Sequence, residues 1–410
     1  MKFFNVKTVT ETLEVIAGEF QPNRPPIEVP LIDALEMVLA EDVRSGEQVP
    51  HFARSTVDGF AVLARDTYGA SDSLPAFLDV TGRIEMGKEA AVRLMEGQAQ
   101  SIPTGGMLPS GADSVVMIEH VEEVGDMLNV YRQVAPGENI IRAGDDVKAG
   151  ELVMSAGQRL RPQDLGVLSA IGKTKVRVYP RPVVAILSTG DEIVPADKKD
   201  LAPGEIRDIN SITIAAAARQ CGAVVIEGGI VSDDYASFAL RAKELFEESD
   251  LLLLSGGSSV GTRDYTEQVM QSLGEPGVLV HGVSIKPGKP TILAKAGRKP
   301  VMGLPGHPAS ALIIFHLFVA PLLQRLQGQK PAAYHQRIPA RISRNIASAV
   351  GRSDYIRVKL EEREDGMWAV PVFGKSGLIS TLVKSDGMVE ISANKEGILE
   401  GELVHVHLFQ

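Results

Sequence analysis

The chain has 410 residues, 44% of them hydrophobic and 23% charged, an ordinary globular composition with length for about two to four domains. A formal net charge of −10 excludes a bulk attraction to nucleic acid or to an anionic membrane, so any anion site must be local. The single cysteine, Cys221, excludes an internal disulfide framework and a multi-cysteine zinc site.

The opening segment MKFFNVKTVTE lacks the apolar core of a signal peptide. Thr8 and Glu11 stand at capping-box spacing, and Val9, Leu13 and Ile16 follow at helical spacing, which predicts a first helix. Leu31, Ala34, Leu35 and Val38 predict a second, short helix over about residues 30–40. After Pro50 the texture changes to short β-like runs parted by Gly and Pro. That pattern predicts a small β-rich module over about residues 46–140. Arg161-Pro162-Gln163-Asp164 marks a helix start and Gly172 its stop. With the N-terminal helices, this stretch reads as one elongated module built from two separated pieces of chain.

From Arg181 strands and helices alternate. PVVAILSTG and AVVIEGGIV read as strands, and Asn210 to Gln220 as a helix with Asn210 as N-cap and Gly222 as stop. Asp233 is expected to cap the next helix, whose Phe238, Ala242, Leu245 and Phe246 share a face. Leu251 to Leu254 form an apolar strand that breaks into a Gly- and Ser-rich loop, Ser255 to Gly261, ahead of Asp264. GVSIKPGKPTILAK, PVMGLPGHP and a long apolar helix ending near Leu326 follow. The longest apolar run, Ala311 to Leu323, is interrupted by His316 and reads as too short to span a bilayer, so a cytoplasmic protein is expected. Near-continuous apolar strands between helices predict a largely parallel, doubly wound sheet, which binds ligands beyond the carboxyl ends of its strands. The four small-residue loops STGDE, SGGSSVG, KPGKP and LPGHP all fall at predicted strand ends. From Lys330 the alternation of Ile356, Val358 and Leu360, and of Val404, Val406 and Leu408, predicts a small barrel or sandwich.

The glycines of SGGSSVG let a backbone approach an anion, and successive amides supply donors. The same run also fits an ordinary strand-to-helix turn. Lys286 and Lys289 flank Pro287-Gly288 on a rigid turn that suits a phosphate or an oxyanion. Alone it would read as a solvated turn, but its place beside three other glycine loops favours the anion. Gly303 to Pro308 leads into a helix whose first amides are anion donors, and Ser310 adds a hydroxyl. The acidic set is Asp58, Asp146, Glu192, Asp233 and Asp264. Carboxylates beside phosphate loops hold Mg²⁺ or position a nucleophile. Asp58 and Asp146 equally fit turn formation, and Asp233 fits helix capping. Glu192 and Asp264, both at strand ends, have the stronger claim. His307 reads equally as an acid–base group or as a packed loop histidine.

Seven segments together resemble the MoeA family, the molybdenum insertases of molybdenum-cofactor synthesis, to which the E domain of gephyrin belongs. They are Ser55 to Ala61, Ile102 to Gly105, Gly137 to Ile140 with Arg142 to Asp146, Ser188 to Glu192, Ser255 to Gly261 with Asp264-Tyr265, Lys286 to Pro290 and Leu304 to Pro308. They stand in family order over nearly the whole chain. The resemblance implies an α/β multidomain protein. An elongated, discontinuous dimerisation domain I would cover residues 1–45 and 145–178, and a β-rich insert, domain II, residues 46–144. Domain III, residues 179–329, would be a doubly wound, mostly parallel sheet like that of molybdopterin adenylyltransferase, and domain IV, residues 330–410, a β-barrel.

The resemblance also implies a homodimer in which domain II acts in trans. The implied reaction takes adenylylated molybdopterin and molybdate and, with Mg²⁺, releases AMP and molybdenum cofactor. Carried over by motif, the catalytic set is Asp58, Thr104, Asp146, Glu192, Asp233, Asp264, Lys286 and Lys289, with Glu192 and Asp264 on Mg²⁺. Substrate would meet Ser188, Thr189, Gly190, Ser255, Gly256, Gly257, Ser258, Ser259 and Gly261 at the nucleotide end. It would also meet Pro290, Pro305, Gly306, His307, Pro308, Ser310, Arg352 and Ser376, with molybdate near Lys286, Lys289, Pro290 and Ser310. His307 and Ser258 depart from the commoner asparagine and valine, though both keep the backbone donors. A molybdopterin adenylyltransferase is an implied supplier, and apo-molybdoenzymes or cofactor chaperones are implied recipients; no nucleic-acid or membrane partner is expected. The competing readings are a non-catalytic scaffold of the same fold, an adenylyltransferase suggested by domain III alone, and a tungstate-preferring insertase. The absence of a linker or further domain in the sequence favours the enzyme over the scaffold.

Overall fold

The structure, a computed structural model, describes residues 6–256, 263–330 and 337–409; the side chains of Arg263 and Asp264 also lie outside the description. The first helix, α1 (Val9–Glu19), starts on the predicted capping box. Thr8 Oγ1 accepts from the Glu11 N–H at 3.2 Å, and Glu11 accepts from the Thr8 N–H at 2.7 Å. Its Ile16, with Phe20 beyond it, joins the core of the doubly wound unit rather than that of the elongated module.

The helix expected over residues 30–40 does not form. A single 3₁₀ turn, Leu31–Ala34, stands between strands Ile27–Pro30 and Val38–Leu39, and both strands pair with Lys175–Tyr179. The break has a local cause: Glu36 sits at φ +67°, a left-handed conformation that no helix continues through. The apolar residues there serve sheet pairing instead, in a core that gathers Ala34, Leu39 and Val43 with Leu160, Leu168 and Val178. Helix α2 (Pro162–Ala170) begins with proline in its first turn, and Asp164 accepts from the Arg161 N–H at 2.8 Å. Between these pieces lies a six-stranded sheet that includes Gly59–Val62, Gln98–Ile102 and Ser114–Met117.

The doubly wound unit contains β1 (Val183–Thr189), α3 (Asn210–Gln220), β2 (Val224–Val231), α4 (Tyr235–Glu248), β3 (Leu251–Ser255), α5 (Arg263–Ser272), β4 (Pro276–His281), β5 (Ile285–Lys286), β6 (Ile292–Ala296) and β7 (Lys299–Leu304). The sheet order is β2-β1-β3-β7-β6-β4, parallel from β2 to β7 and antiparallel across β7–β6 and β6–β4. Strand alternation explains the leucine run. Leu251 and Leu253 pack into one core with α3 and the long C-terminal helix, whereas Leu252 and Leu254 pack into another with α4.

That long helix runs as α6 (Pro308–Ile314), a π turn (Phe315–Val319) and α7 (Ala320–Leu326). Pro321 brings no N–H to the ladder, and the widened turn lies directly before it. At 19 residues the helix is longer than the apolar run Ala311 to Leu323 within it and, by length and composition alone, apolar enough to cross a membrane, but 61% of its most apolar window is buried inside the protein. It is the central core helix.

The C-terminal strands are β8 (Arg337–Ile342), β9 (Ser353–Arg363), β10 (Gly366–Pro371), β11 (Gly387–Ile391) and β12 (Leu403–Leu408). They follow the order β9-β10-β8-β12-β11, and β11 pairs with β9 to close a five-stranded barrel. Strand β5 pairs in parallel with the start of β9, so the KPGKP turn is stitched to the barrel.

Candidate functional site

Three glycine turns follow the carboxyl ends of parallel strands: Thr189 ends β1, Ser255 ends β3 and Leu304 ends β7. The fourth, Lys286 to Pro290, lies between β4 and β6 at the same edge, because Ile292 opens β6 opposite Gly303. The turns pack closely. A Cβ on Gly256, at φ +126°, would stand 2.2 Å from the Thr189 carbonyl oxygen, so only glycine lets the exit of β3 pass beside that of β1.

Asn210 is not the N-cap that its sequence position suggested. Its buried amide donates to Ser255 Oγ at 2.9 Å and to the Gly306 carbonyl at 2.8 Å, fastening the β3 turn to the β7 turn. Asp208 takes the capping role, accepting from the Ser211 N–H at 3.0 Å. Asp233 is not a cap either, since Asp234 accepts from the Ser237 N–H at 2.9 Å. Asp233 instead accepts from Thr189 Oγ1 at 3.2 Å, and its N–H donates to Asp191 Oδ1 at 3.0 Å. Partial burial, with the charges of Asp191 and Glu192, holds the Asp233 carboxyl above its ordinary value against the Thr189 hydrogen bond.

Ser188, Thr189, Gly190, Glu192, Asp233, Ser255, Gly256 and Gly306 thus belong to one sheet edge, where Ser188 Oγ is buried without a partner. Gly257, Ser258, Ser259 and Gly261 lie outside the described residues, as does the Asp264 side chain. Among the described residues no group of three or more His, Cys, Asp or Glu is arranged to hold a metal ion.

Beside this edge a cleft of about 910 Å³ opens between the doubly wound unit and the barrel. Lys286, Lys289, Pro290, Pro305, His307 and Ser310 reach it from the sheet edge, and Arg352 and Ser376 from the barrel. Pro308 opens α6 at the same seam, where the Ala309 N–H donates to the Ser376 carbonyl at 3.1 Å. Five basic side chains line the cleft, Lys286, Lys289, Arg352, Arg357 and Lys375, against one carboxylate, Asp354. Asp354 is buried; Arg352 Nε lies 2.9 Å from its Oδ1 and Lys286 Nζ 3.9 Å from its Oδ2. The parallel pairing of β5 with β9 sets Lys286 opposite Asp354 and so fixes this triad.

Asp354, Arg357, Lys375 and the Asn210 tie are the residues that sequence reasoning missed. The available signal was an aspartate and an arginine in the otherwise apolar stretch DYIRV of a barrel strand. Asp58 and Thr104 do meet, the Thr104 N–H donating to Asp58 Oδ1 at 2.8 Å. Asp146 stands on a separate exposed turn, its N–H donating to the Val49 carbonyl at 3.1 Å. None of these three is among the described residues lining the cleft.

Three family models cover most of the chain: "MoeA N-terminal region (domain I and II)" over residues 7–172, "Probable molybdopterin binding domain" over 185–325 and "MoeA C-terminal region (domain IV)" over 339–409. A relative named molybdopterin molybdenumtransferase from Haemophilus influenzae is 35% identical over 382 residues, covering 92% of this chain and 93% of its own. One of the same name from Staphylococcus epidermidis is 33% identical over 383 residues, covering 93% and 91%. The crystal structure of a molybdopterin biosynthesis MoeA protein from Pyrococcus horikoshii superposes with a TM-score of 0.85 at 32% identity, over 99% of this chain and 100% of that one.

Proposed function

The chain belongs to the MoeA family and has its role in molybdenum cofactor biosynthesis, and we propose that it transfers molybdate onto adenylylated molybdopterin, releasing AMP and molybdenum cofactor. The observation that supports this reading is the pairing of two unlike anion sites. The strand-end turns offer backbone donors and hydroxyls to a phosphate-linked substrate, and the adjoining cleft sets five basic side chains against one carboxylate in a protein of net charge −10.

Each part of the chain then has a task. Thr189, Ser255 and the glycine turns hold the phosphate end of the substrate, with Asn210 keeping two of those turns in register. Lys286 and Lys289 attract the oxyanion, and Arg352 offers a planar fork whose direction Asp354 sets. Ser310 and Ser376 offer hydroxyls from the two sides of the seam. Mg²⁺ belongs to the same reading: when bound it neutralises the phosphates and polarises the bond that releases AMP. It usually binds one or two protein carboxylates together with substrate phosphates, so it needs no cage of three protein ligands. Glu192 and Asp233, whose charges already act on each other, fit that demand, with Asp264 as the third expected donor.

Asp58 and Thr104 enter the reaction in this reading from a second copy of the chain. The reading further places the reaction in the cytoplasm, between an adenylyltransferase that supplies the nucleotide-linked pterin and the apo-enzymes or chaperones that take the product. The test is direct. Purified protein given adenylylated molybdopterin, Mg²⁺ and molybdate is expected to release AMP and to yield cofactor that activates an apo-molybdoenzyme. Neither product forming, under conditions where a known insertase works, contradicts the proposal.

A further inference from the structure

Asn210 opens α3 and is only 7% exposed. Its Nδ2 makes both of the bonds that fasten the turns, to Ser255 Oγ at 2.9 Å and to the Gly306 carbonyl at 2.8 Å. The amide therefore has one orientation, because turned over it would set its oxygen against the Gly306 carbonyl. Its Oδ1 is left buried with no partner among the described residues. Ser188 stands in register with Ser255 on the neighbouring strand. Ile186 and Leu253, the preceding residues on the same face, share a core with α3, so both hydroxyls face that helix. Ser188 Oγ is likewise without a partner among the described residues.

A half-met polar layer costs more than an apolar one of the same shape. What this layer supplies in return is a connection between two sites. Its Ser255 end belongs to the strand-end turns that suit a phosphate. Its Gly306 end leads through His307 into α6, where Pro305, His307 and Ser310 line the cleft. There the Ala309 N–H donates to the Ser376 carbonyl at 3.1 Å and carries the same line to the barrel wall. A ligand that fixes the Ser255 turn thus fixes, through one amide, the turn that opens the cleft.

We propose that Asn210 is a positioning residue that couples the two anion sites, so that each ligand binds more tightly when the other is in place. The inference rests on the reading of the turns as the phosphate site and of the cleft as the oxyanion site. Asn210 itself touches neither ligand. The first ligand to bind orders both turns, and the second meets a turn already set. The effect is reciprocal, each ligand raising the affinity of the other by the same factor. The oxyanion is then held firmly only while the nucleotide-linked substrate is present.

The test is calorimetric titration of molybdate into the full-length protein with and without saturating AMP, and of AMP with and without saturating molybdate, in wild type and Asn210→Ala. In the wild type each ligand is expected to tighten the other by at least about fivefold. In Asn210→Ala both ligands still bind, and the factor is expected to fall close to one. A wild type that binds the two independently overturns the inference and leaves the functional reading standing. A folded Asn210→Ala that keeps the wild-type factor while both single affinities drop also overturns it, since the amide is then a staple alone. A wild type that binds neither ligand overturns both readings. Should the variant not fold, hydrogen exchange in the wild type decides. AMP alone is expected to slow the Ala309 amide at the cleft, and protection confined to the β1 and β3 turns overturns the inference.

Discussion

Two carboxylates carry most of what the site residues do for one another. Asp354 is buried where Lys286 and Arg352 converge, and it orients both toward the cleft. Asp354→Asn is expected to lower stability by about 1–2 kcal/mol, the lower end for a charged hydrogen bond because both partners are largely solvated. An unchanged urea midpoint would show that the triad does no orienting. Asp233 works the other way: its raised carboxyl holds a proton more tightly folded than unfolded. Its contribution to stability is therefore full below the unfolded value and lost as pH rises through the raised folded one. Mg²⁺ needs the ionised form, so binding just above the usual carboxylate range is expected to release a proton. Titration in two buffers of different ionisation enthalpy reads this, and equal heats in both, or release that survives Asp233→Asn, would exclude Asp233 from the metal site. Sequence made Asp233 a plausible cap because it precedes a helix, but its neighbour Asp234 has the geometry, which no spacing rule separates at one-residue precision. Lys286 and Lys289 were legible because their turn lies among glycine loops. Asp354 and Arg357 were not, because their meaning depends on a pairing between strands about 70 residues apart.

At the scale of elements, the KPGKP turn is held from two directions. Strand β5 ties it to the barrel, and α6 packs beneath it so closely that a Cβ on Gly288, at φ +110°, would stand 2.5 Å from Ile314 Cδ1. Gly288→Ala is expected to cost about 1–3 kcal/mol by overpacking and strain. It is also expected to weaken molybdate binding more than AMP binding, because the lysines move while the β1 and β3 turns stay. Parallel losses in both affinities would mean that the turn is not a separate module of the site. Elements with strong periodicity read well from sequence. The capping box of α1, the leucine strand β3 and the barrel strands with alternating Ile and Val all form as their patterns predict. The stretch over residues 30–40 did not, because its apolar spacing fits a helix while its partner strand and a left-handed Glu36 dictate a sheet. Tertiary pairing of that kind outweighs local propensity and leaves no local trace.

Over the whole molecule, the cleft exists only because two units meet: the sheet edge gives the lysines and the barrel gives Arg352, Arg357 and Ser376. The Asp58–Thr104 pair lies outside the described lining of that cleft, and the proposed reading brings it from a second copy. Mixing equal amounts of two inactive variants, Asp58→Asn and Lys289→Ala, is then expected to restore roughly a quarter of wild-type activity, since random pairing leaves one intact site in each heterodimer. No recovery after subunit exchange would place both residues in one protomer. The central claim, that this cleft delivers the oxyanion to the nucleotide-linked pterin, is tested most directly by AMP release against molybdate concentration in wild type and Lys289→Ala. The account predicts that the variant needs at least tenfold more molybdate for half-maximal release, about 1.4 kcal/mol, at unchanged affinity for adenylylated molybdopterin. Identical molybdate dependence in the two proteins would contradict it.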